Sequence, residues 1–107
     1  MEVPPDEPRW ITEPIILALH SQQIERYGGA HGVLDQDVVR SSLARPLQRW
    51  AYDDQADITD LAAAYLVGFA RSQGFNDGNK RTSVACALVL LRWNGYTLHV
   101  PPAIYTC

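Results

Sequence analysis

An unbroken apolar stretch near the end of the chain constrains the fold more than any other feature. Residues 84–91 read Val-Ala-Cys-Ala-Leu-Val-Leu-Leu and include no charged side chain. Together with their flanks they predict a helix over residues 79–93, closed by Asn94 and Gly95 as a C-cap. A helix that is apolar on almost every side is normally central in its fold. We therefore expect the rest of the chain to pack around it.

A first helix is predicted near the N-terminus. Thr12 precedes Glu13 and Pro14, a combination typical of a helix start, and the pair Gly28-Gly29 is a stop signal. Helical spacing predicts one apolar face, broadened by three neighbours. Its members are Ile16, Leu19, Gln23 and Tyr27, with Ile15, Leu17 and Ile24 beside them.

Two more helices are predicted in the middle of the chain. Asp35 is a candidate cap for the first of them, and Pro46 should end it or open a short piece over residues 47–52. After an acidic loop, Asp57 or Thr59 should cap the next helix, which runs on to Ser72. These helices predict a single all-α domain over residues 1–107, a small bundle around a central buried helix.

The ends of the chain and its composition set further expectations. Residues 1–11 are predicted to be flexible, residues 96–100 extended, and residues 101–107 a short tail. A net charge of -3 and a pI near 5.4 argue against direct nucleic-acid binding, which normally needs a basic face. No apolar run is long enough to cross a bilayer, and the N-terminus is not a signal peptide. We expect a cytoplasmic protein with no membrane partner.

The polar loop, residues 73–81, lies directly before the predicted central helix. Gly78 allows backbone angles that other residues avoid, and a helix that begins at Asn79 presents unpaired backbone N–H groups. Those donors and the positive end of the helix dipole favour an anion. Lys80 and Arg81 add two full positive charges. The pattern indicates a cradle for nucleotide phosphates, although it is not the usual P-loop pattern.

Three more residues in or near the polar loop bear on this interpretation. Asp77 can hold Mg²⁺ beside bound phosphates, and Phe75 can anchor the loop in the core. Arg71 could reach a phosphate, although a surface salt bridge is the simpler role. A plain structural alternative stays open, because Asp-Gly is a common turn and Asn-Lys-Arg could be a solvated first helical turn. Two cations at a helix start are nevertheless unfavourable unless an anion accompanies them.

The polar loop resembles that of the Fic/Doc family, in particular the Doc (death-on-curing) toxin branch. That branch reads His-x-Phe-x-Asp/Asn-Gly/Ala-Asn-Lys-Arg, and six positions of this chain match in register. They are Phe75, Asp77, Gly78, Asn79, Lys80 and Arg81. The resemblance extends over residues 14–102. Lys80 favours the Doc branch over Fic adenylyltransferases, which usually have glycine there and an arginine at the position of Val84.

The resemblance implies a toxin of a toxin–antitoxin system, with ATP and Mg²⁺ as cofactors. Doc-like proteins phosphorylate elongation factor Tu, which stops translation, and a Phd-like antitoxin neutralises them. The implied catalytic positions are Gln73, Asp77 and Lys80, with Asp77 also as the metal ligand. The implied nucleotide- and phosphate-binding residues are Gly78, Asn79, Lys80 and Arg81.

This chain departs from the family pattern in two places, at Gln73 and at its end. The general-base histidine is replaced by Gln73, an amide that takes no proton at neutral pH, so rate help of about 10²–10⁴-fold should be missing. Gly74 beside it is expected to loosen the loop. The chain also stops at Cys107, where Doc-like proteins continue.

Three readings of the function follow from the resemblance. The first is a disabled or weakened Doc-like kinase. The second is a non-catalytic module that binds a Phd-like antitoxin. A Fic-type adenylyltransferase is the least favoured.

Overall fold

Four α-helices make up most of residues 7–96, the part of the chain that the computed structural model describes. They are α1 (Glu13–Tyr27), α2 (Gln36–Tyr52), α3 (Ile58–Arg71) and α4 (Asn79–Trp93). Within these residues the only β-type pairing is a single antiparallel bridge between Val33 and Phe75. The all-α prediction is confirmed. Residues 1–6 and 97–107 lie outside the described residues, so the predicted tail and most of the predicted extended segment are not described.

Helix α4 has the bounds that its apolar pattern predicts. It packs mainly against α3 and also against α1. Its fully buried face begins in its first turn and reaches its last. The members of that face are Thr82, Ser83, Cys86, Ala87, Leu90 and Leu91. The remaining apolar side chains are partly buried, and Trp93 is 41% exposed, so α4 is covered along one broad face rather than on all sides.

The end of α4 also forms as predicted. Asn94 is the C-cap, and Gly95 has a φ of 86°, a left-handed value that glycine adopts without strain. The Tyr96 N–H donates to the Leu91 carbonyl oxygen at 2.9 Å and closes the last turn. Asn94 also ties this end to the N-terminal segment, because its side chain bonds the backbone N–H and carbonyl of Arg9.

Helix α3 packs against both α2 and α4 and begins at a reciprocal cap. The Asp57 carboxylate accepts the Asp60 N–H, and the Asp60 carboxylate accepts the Asp57 N–H, each at 3.0 Å. Asp57 is therefore the cap, and Thr59 only donates its hydroxyl to the same carboxylate. The helix buries a long apolar face: Ile58, Leu61, Ala62, Tyr65, Gly68 and Phe69.

Helix α2 runs unbroken through Pro46, so the prediction that proline ends or divides this helix is wrong. An internal proline removes one backbone hydrogen bond and costs about 3 kcal/mol in a helix interior. Here the Pro46 ring lies fully buried in line with Val39 and Ser42, and this packing offsets the lost bond. Asp35 caps the helix as predicted, because its carboxylate accepts the N–H groups of Asp37 and Val38.

Helix α1 has the predicted bounds but buries a different face. Its buried side chains are Ile16, His20 and Ile24, whereas Leu17 is 37% and Tyr27 is 48% exposed. The three buried residues recur every four positions. Because the middle one is the polar His20, the apolar residues alone do not predict this face. Thr12 occupies the N-cap position without a capping hydrogen bond from its side chain.

The packed part of the chain begins with Trp10 and Ile11, inside the segment that the sequence predicts to be flexible. Ile11 is 2% exposed, and its N–H donates to the Tyr65 hydroxyl at 3.2 Å. Trp10 packs edge-on against Trp50. The end of the segment predicted to be flexible is thus fastened to the core. None of the described helices is both long and apolar enough to cross a membrane.

Candidate functional site

The polar loop is folded back on itself by one asparagine. The Asn79 Oδ1 accepts the Phe75 N–H, and the Asn79 Nδ2 donates to the Phe75 carbonyl oxygen, both at 3.0 Å. Phe75 is completely buried, as predicted, and stacks between His20 and Phe69. The Asn79 side chain, predicted as a phosphate ligand, is therefore engaged in closing the loop.

Gly78 makes the turn that starts α4. Its φ of 74° and ψ of 19° lie in the left-handed region, as the sequence predicts for this position. The first bond of the helix runs from the Thr82 N–H to the Gly78 carbonyl oxygen at 2.9 Å. The backbone N–H groups of Asn79, Lys80 and Arg81 have no partner among the described residues. Free N–H groups at a helix N-terminus favour an anion, and no acidic side chain of the first turn neutralises them.

An open pocket lies between the end of α3 and the start of α4. Its volume is about 530 Å³, and every predicted site residue lines it. The lining residues are Ala70, Arg71, Ser72, Gln73, Asn76, Asp77, Gly78, Asn79, Lys80 and Arg81. Three of them are cations and one is a carboxylate, in a protein whose net charge is -3. The pocket is therefore lined by net positive charge, although the chain as a whole is negatively charged.

Asp77 connects the pocket to the segment that follows α1. Its Oδ2 accepts the Ala30 N–H at 2.8 Å, and its backbone carbonyl oxygen lies 2.8 Å from His20 Nε2. Oδ1 has no hydrogen-bond partner in residues 7–96. Asp77 can thus hold the loop and still offer one carboxylate oxygen to a cation. This arrangement fits Mg²⁺, because that ion is often bound by one carboxylate together with substrate phosphates.

Arg81 is likewise shared between the pocket and the end of α1. Its Nη2 donates to the Gly28 carbonyl oxygen at 2.9 Å, and its guanidinium lies 5.7 Å from the centre of the Tyr27 ring. These contacts hold the side chain in place. Lys80, in contrast, is exposed on the pocket and forms no ion pair with the described residues.

The comparisons with known proteins agree with this geometry. Residues 10–91, which include the polar loop and all four helices up to Leu91, match the Fic/DOC family. The chain belongs to the Fic/DOC family. It is 38% identical over 96 residues to the protein kinase doc of Escherichia phage P1, which covers 90% of this chain and 76% of that protein. It is 37% identical over 73 residues to the toxin Doc of Mycolicibacterium smegmatis, which covers 67% of this chain and 56% of that protein. Both relatives belong to the Doc branch, and so does this chain.

Gln73 lies at the position where the family resemblance implies a general-base histidine. Its side chain is exposed on the pocket and makes no hydrogen bond within residues 7–96. Neither described histidine replaces the missing base. His20 is 4% exposed and its Nε2 is bonded to a carbonyl, while His31 does not line the pocket.

Gly74, which follows Gln73, does not loosen the polar loop. Its carbonyl oxygen accepts the N–H groups of Leu34 and Asp35 at 2.8 and 3.1 Å. A Cβ built on Gly74 would lie 2.8 Å from Val39 Cγ2, closer than real Cβ contacts are found. The expectation of a loose loop is therefore wrong, because the absence of a side chain allows the loop to pack directly on α2.

Two residues near the pocket, Arg71 and His20, have surroundings that the sequence does not predict. Arg71 lines the pocket and makes no ion pair with the described residues, so the salt bridge expected for it is not found there. No sequence pattern places His20 at the polar loop. Its spacing of four residues from both Ile16 and Ile24 was the available signal of burial, but its contact with Asp77 spans 57 positions of sequence.

Proposed function

We propose that this protein is a Doc-type toxin whose pocket binds the phosphates of ATP with Mg²⁺, and whose phosphoryl transfer is weakened by Gln73. The observation that carries the proposal is the positive pocket at the uncapped N-terminus of α4. The names of the two relatives support toxin activity, and the name of the phage protein supports kinase chemistry. The proposed protein substrate, carried over from the family resemblance, is elongation factor Tu.

The residues of the pocket supply what phosphoryl transfer needs most, which is positioning and neutralisation of charge. Lys80 and the N–H groups at the start of α4 would bind phosphate oxygens, with Gly78 as a further backbone donor. Arg81 would add charge while remaining fastened to Gly28. Asp77 would hold Mg²⁺. When bound, that ion would reduce the negative charge of the phosphate oxygens.

Gln73 is the reason to expect little turnover. A general base usually contributes about 10²–10⁴-fold to the rate, and an amide cannot accept the proton of the attacking hydroxyl. Nucleotide binding does not require that proton transfer. The proposal therefore separates the two properties, with binding retained and catalysis strongly reduced.

A second candidate function is a non-catalytic module that binds a Phd-like antitoxin. It is favoured by an apolar groove of about 580 Å³ between α1 and α4, away from the polar loop. The groove is lined by Pro14, Ile15, Ala18, Leu19, Gln22, Val89 and Trp93. An amphipathic segment of an antitoxin that becomes ordered on binding would find an apolar surface there.

Calorimetry with ATP and ADP, each with Mg²⁺, tests the proposed pocket. We expect saturable binding that Lys80→Ala weakens and that Gln73→Ala, a change to an exposed amide of the same pocket, leaves nearly unchanged. Absence of binding at millimolar nucleotide would reject the nucleotide pocket. If a Phd-like C-terminal peptide still bound tightly to the same preparation, the second candidate would replace the first.

A further inference from the structure

His20 is a buried imidazole that reaches the polar loop from outside its sequence. It lies on α1 with 4% of its surface exposed. Its Nε2 is 2.8 Å from the Asp77 carbonyl oxygen, and its ring stacks on that of Phe75 with centroids 3.9 Å apart and planes 8° from parallel. One side chain of α1 therefore contacts the loop on both sides of Asn76.

The hydrogen bond fixes which nitrogen carries the proton. A backbone carbonyl oxygen can only accept, so the His20 Nε2 must be the donor. Burial is the main cause that lowers the pKa of His20, and the positive charges of His31 and Arg81 act in the same direction. The bond to the Asp77 carbonyl and the Asp77 carboxylate oppose them. The hydrogen bond to the Asp77 carbonyl thus requires hydrogen on Nε2 of the His20 ring.

The orientation of one peptide plane depends on this contact. In a trans peptide the carbonyl oxygen and the following N–H point in opposite directions. No cis peptide occurs among the described residues. Holding the Asp77 oxygen toward His20 therefore directs the Gly78 N–H away from α1. Gly78 lines the pocket and is the residue whose left-handed turn starts α4.

We propose that His20 is a positioning residue that orients the Asp77–Gly78 peptide and thereby forms the anion site at the start of α4. The inference rests on the proposed function only for its affinity readout, because loop order can be measured without any ligand. A role limited to filling the core would instead require the ring alone, which phenylalanine could supply.

Two substitutions separate the contacts of His20. His20→Phe keeps an aromatic ring for Phe75 and removes the donor, whereas His20→Gln keeps a donor and removes the stacking. Tyr65→Phe is a matched control, because it removes a buried hydroxyl that bonds the Ile11 backbone at another part of the core. Each variant is compared with the wild type by thermal unfolding, by amide hydrogen exchange of residues 75–82, and by calorimetry with ATP and Mg²⁺.

We expect His20→Phe to speed exchange in residues 75–82 and to weaken ATP binding, each by about five- to tenfold, as loss of one buried hydrogen bond implies. Tyr65→Phe should lower the unfolding temperature while changing neither loop exchange nor affinity. If His20→Phe leaves both at wild-type values, the proposal is overturned.

Two further readouts keep the test decisive. If His20→Phe fails to fold, ¹⁵N NMR of the wild-type imidazole tests the proposal instead. Hydrogen on Nε2 of His20 supports the proposal, and hydrogen on Nδ1 alone overturns it. If the wild type binds no nucleotide, the proposed function fails, and loop exchange in the variants still tests the role of His20 by itself.

Discussion

Gly74 has no side chain, and the polar loop could not follow its path if it had one. The loop passes within contact distance of Val39 on α2, and the Gly74 carbonyl receives two N–H groups from the segment before α2. Its neighbour Gln73 is exposed and can change without disturbing this packing. Gln73 and Gly74 thus differ in kind, since the first concerns chemistry and the second concerns packing.

Gly74→Ala should destabilise the protein by about 1–3 kcal/mol, the usual cost of forcing an extra group into a packed site. The new Cβ would have to displace Val39 or move the loop away from α2. Urea unfolding measures the effect. Gln73→Ala, one residue earlier on the surface, is the control and should stay within about 0.5 kcal/mol of the wild type. Equal stability of the two variants would contradict the close packing.

The buried His20 should make stability depend on pH. Because burial lowers its pKa in the folded state, the unfolded chain binds the proton more readily. The free energy of unfolding should therefore be highest above the ordinary histidine pKa of about 6.5 and should fall as the pH drops toward the lowered value. Unfolding of the wild type and of His20→Phe between pH 5 and 7.5 isolates this part. The prediction is wrong if both proteins lose the same free energy over that range.

At the scale of the helices, local signals predict where an element begins and long-range packing decides which face it buries. The bounds of α4 and the cap of α3 follow from residues within a few positions of each other, and both are confirmed. Local signals do not reveal the burial of Pro46 or of His20. The ring of Pro46 is fully buried inside α2. His20 is buried on α1, where its ring contacts Phe75 and the Asp77 carbonyl of the polar loop.

The reciprocal cap of α3 gives a prediction at this scale. Asp57→Ala removes the acceptor of the Asp60 N–H and should cost about 0.5–2 kcal/mol of stability. Asp54→Ala is the matched control, because Asp54 is an exposed acid of the same loop. Thermal unfolding should separate the two variants clearly. Similar values for both would mean that the cap contributes little to holding α3.

At the scale of the whole molecule, the distribution of charged residues is more informative about ligand binding than the net charge is. An acidic chain gathers Arg71, Lys80 and Arg81 around one pocket, where a single carboxylate accompanies them. The sequence predicted Lys80 and Arg81 at this site because they adjoin a helix start. It could not predict how closely Arg71 would approach them, since that depends on how α3 meets the polar loop.

Arg71→Gln should weaken binding of ATP by up to about tenfold, because it removes one charge from the pocket while retaining a hydrogen-bonding side chain. Arg45→Gln on α2 is the control, because that arginine is also exposed but does not line the pocket. Calorimetry at low and high salt measures both variants. Equal affinities would show that Arg71 takes no part in binding.

Under the proposed function, this pocket binds nucleotide phosphates and lacks only the general base. The most direct test is transfer of labelled phosphate from ATP to elongation factor Tu by the wild type and by Gln73→His, both at saturating ATP. We expect a rate about 10²–10⁴-fold higher for Gln73→His, with an unchanged affinity for ATP. A folded Gln73→His protein that binds ATP and leaves the factor unlabelled would contradict it.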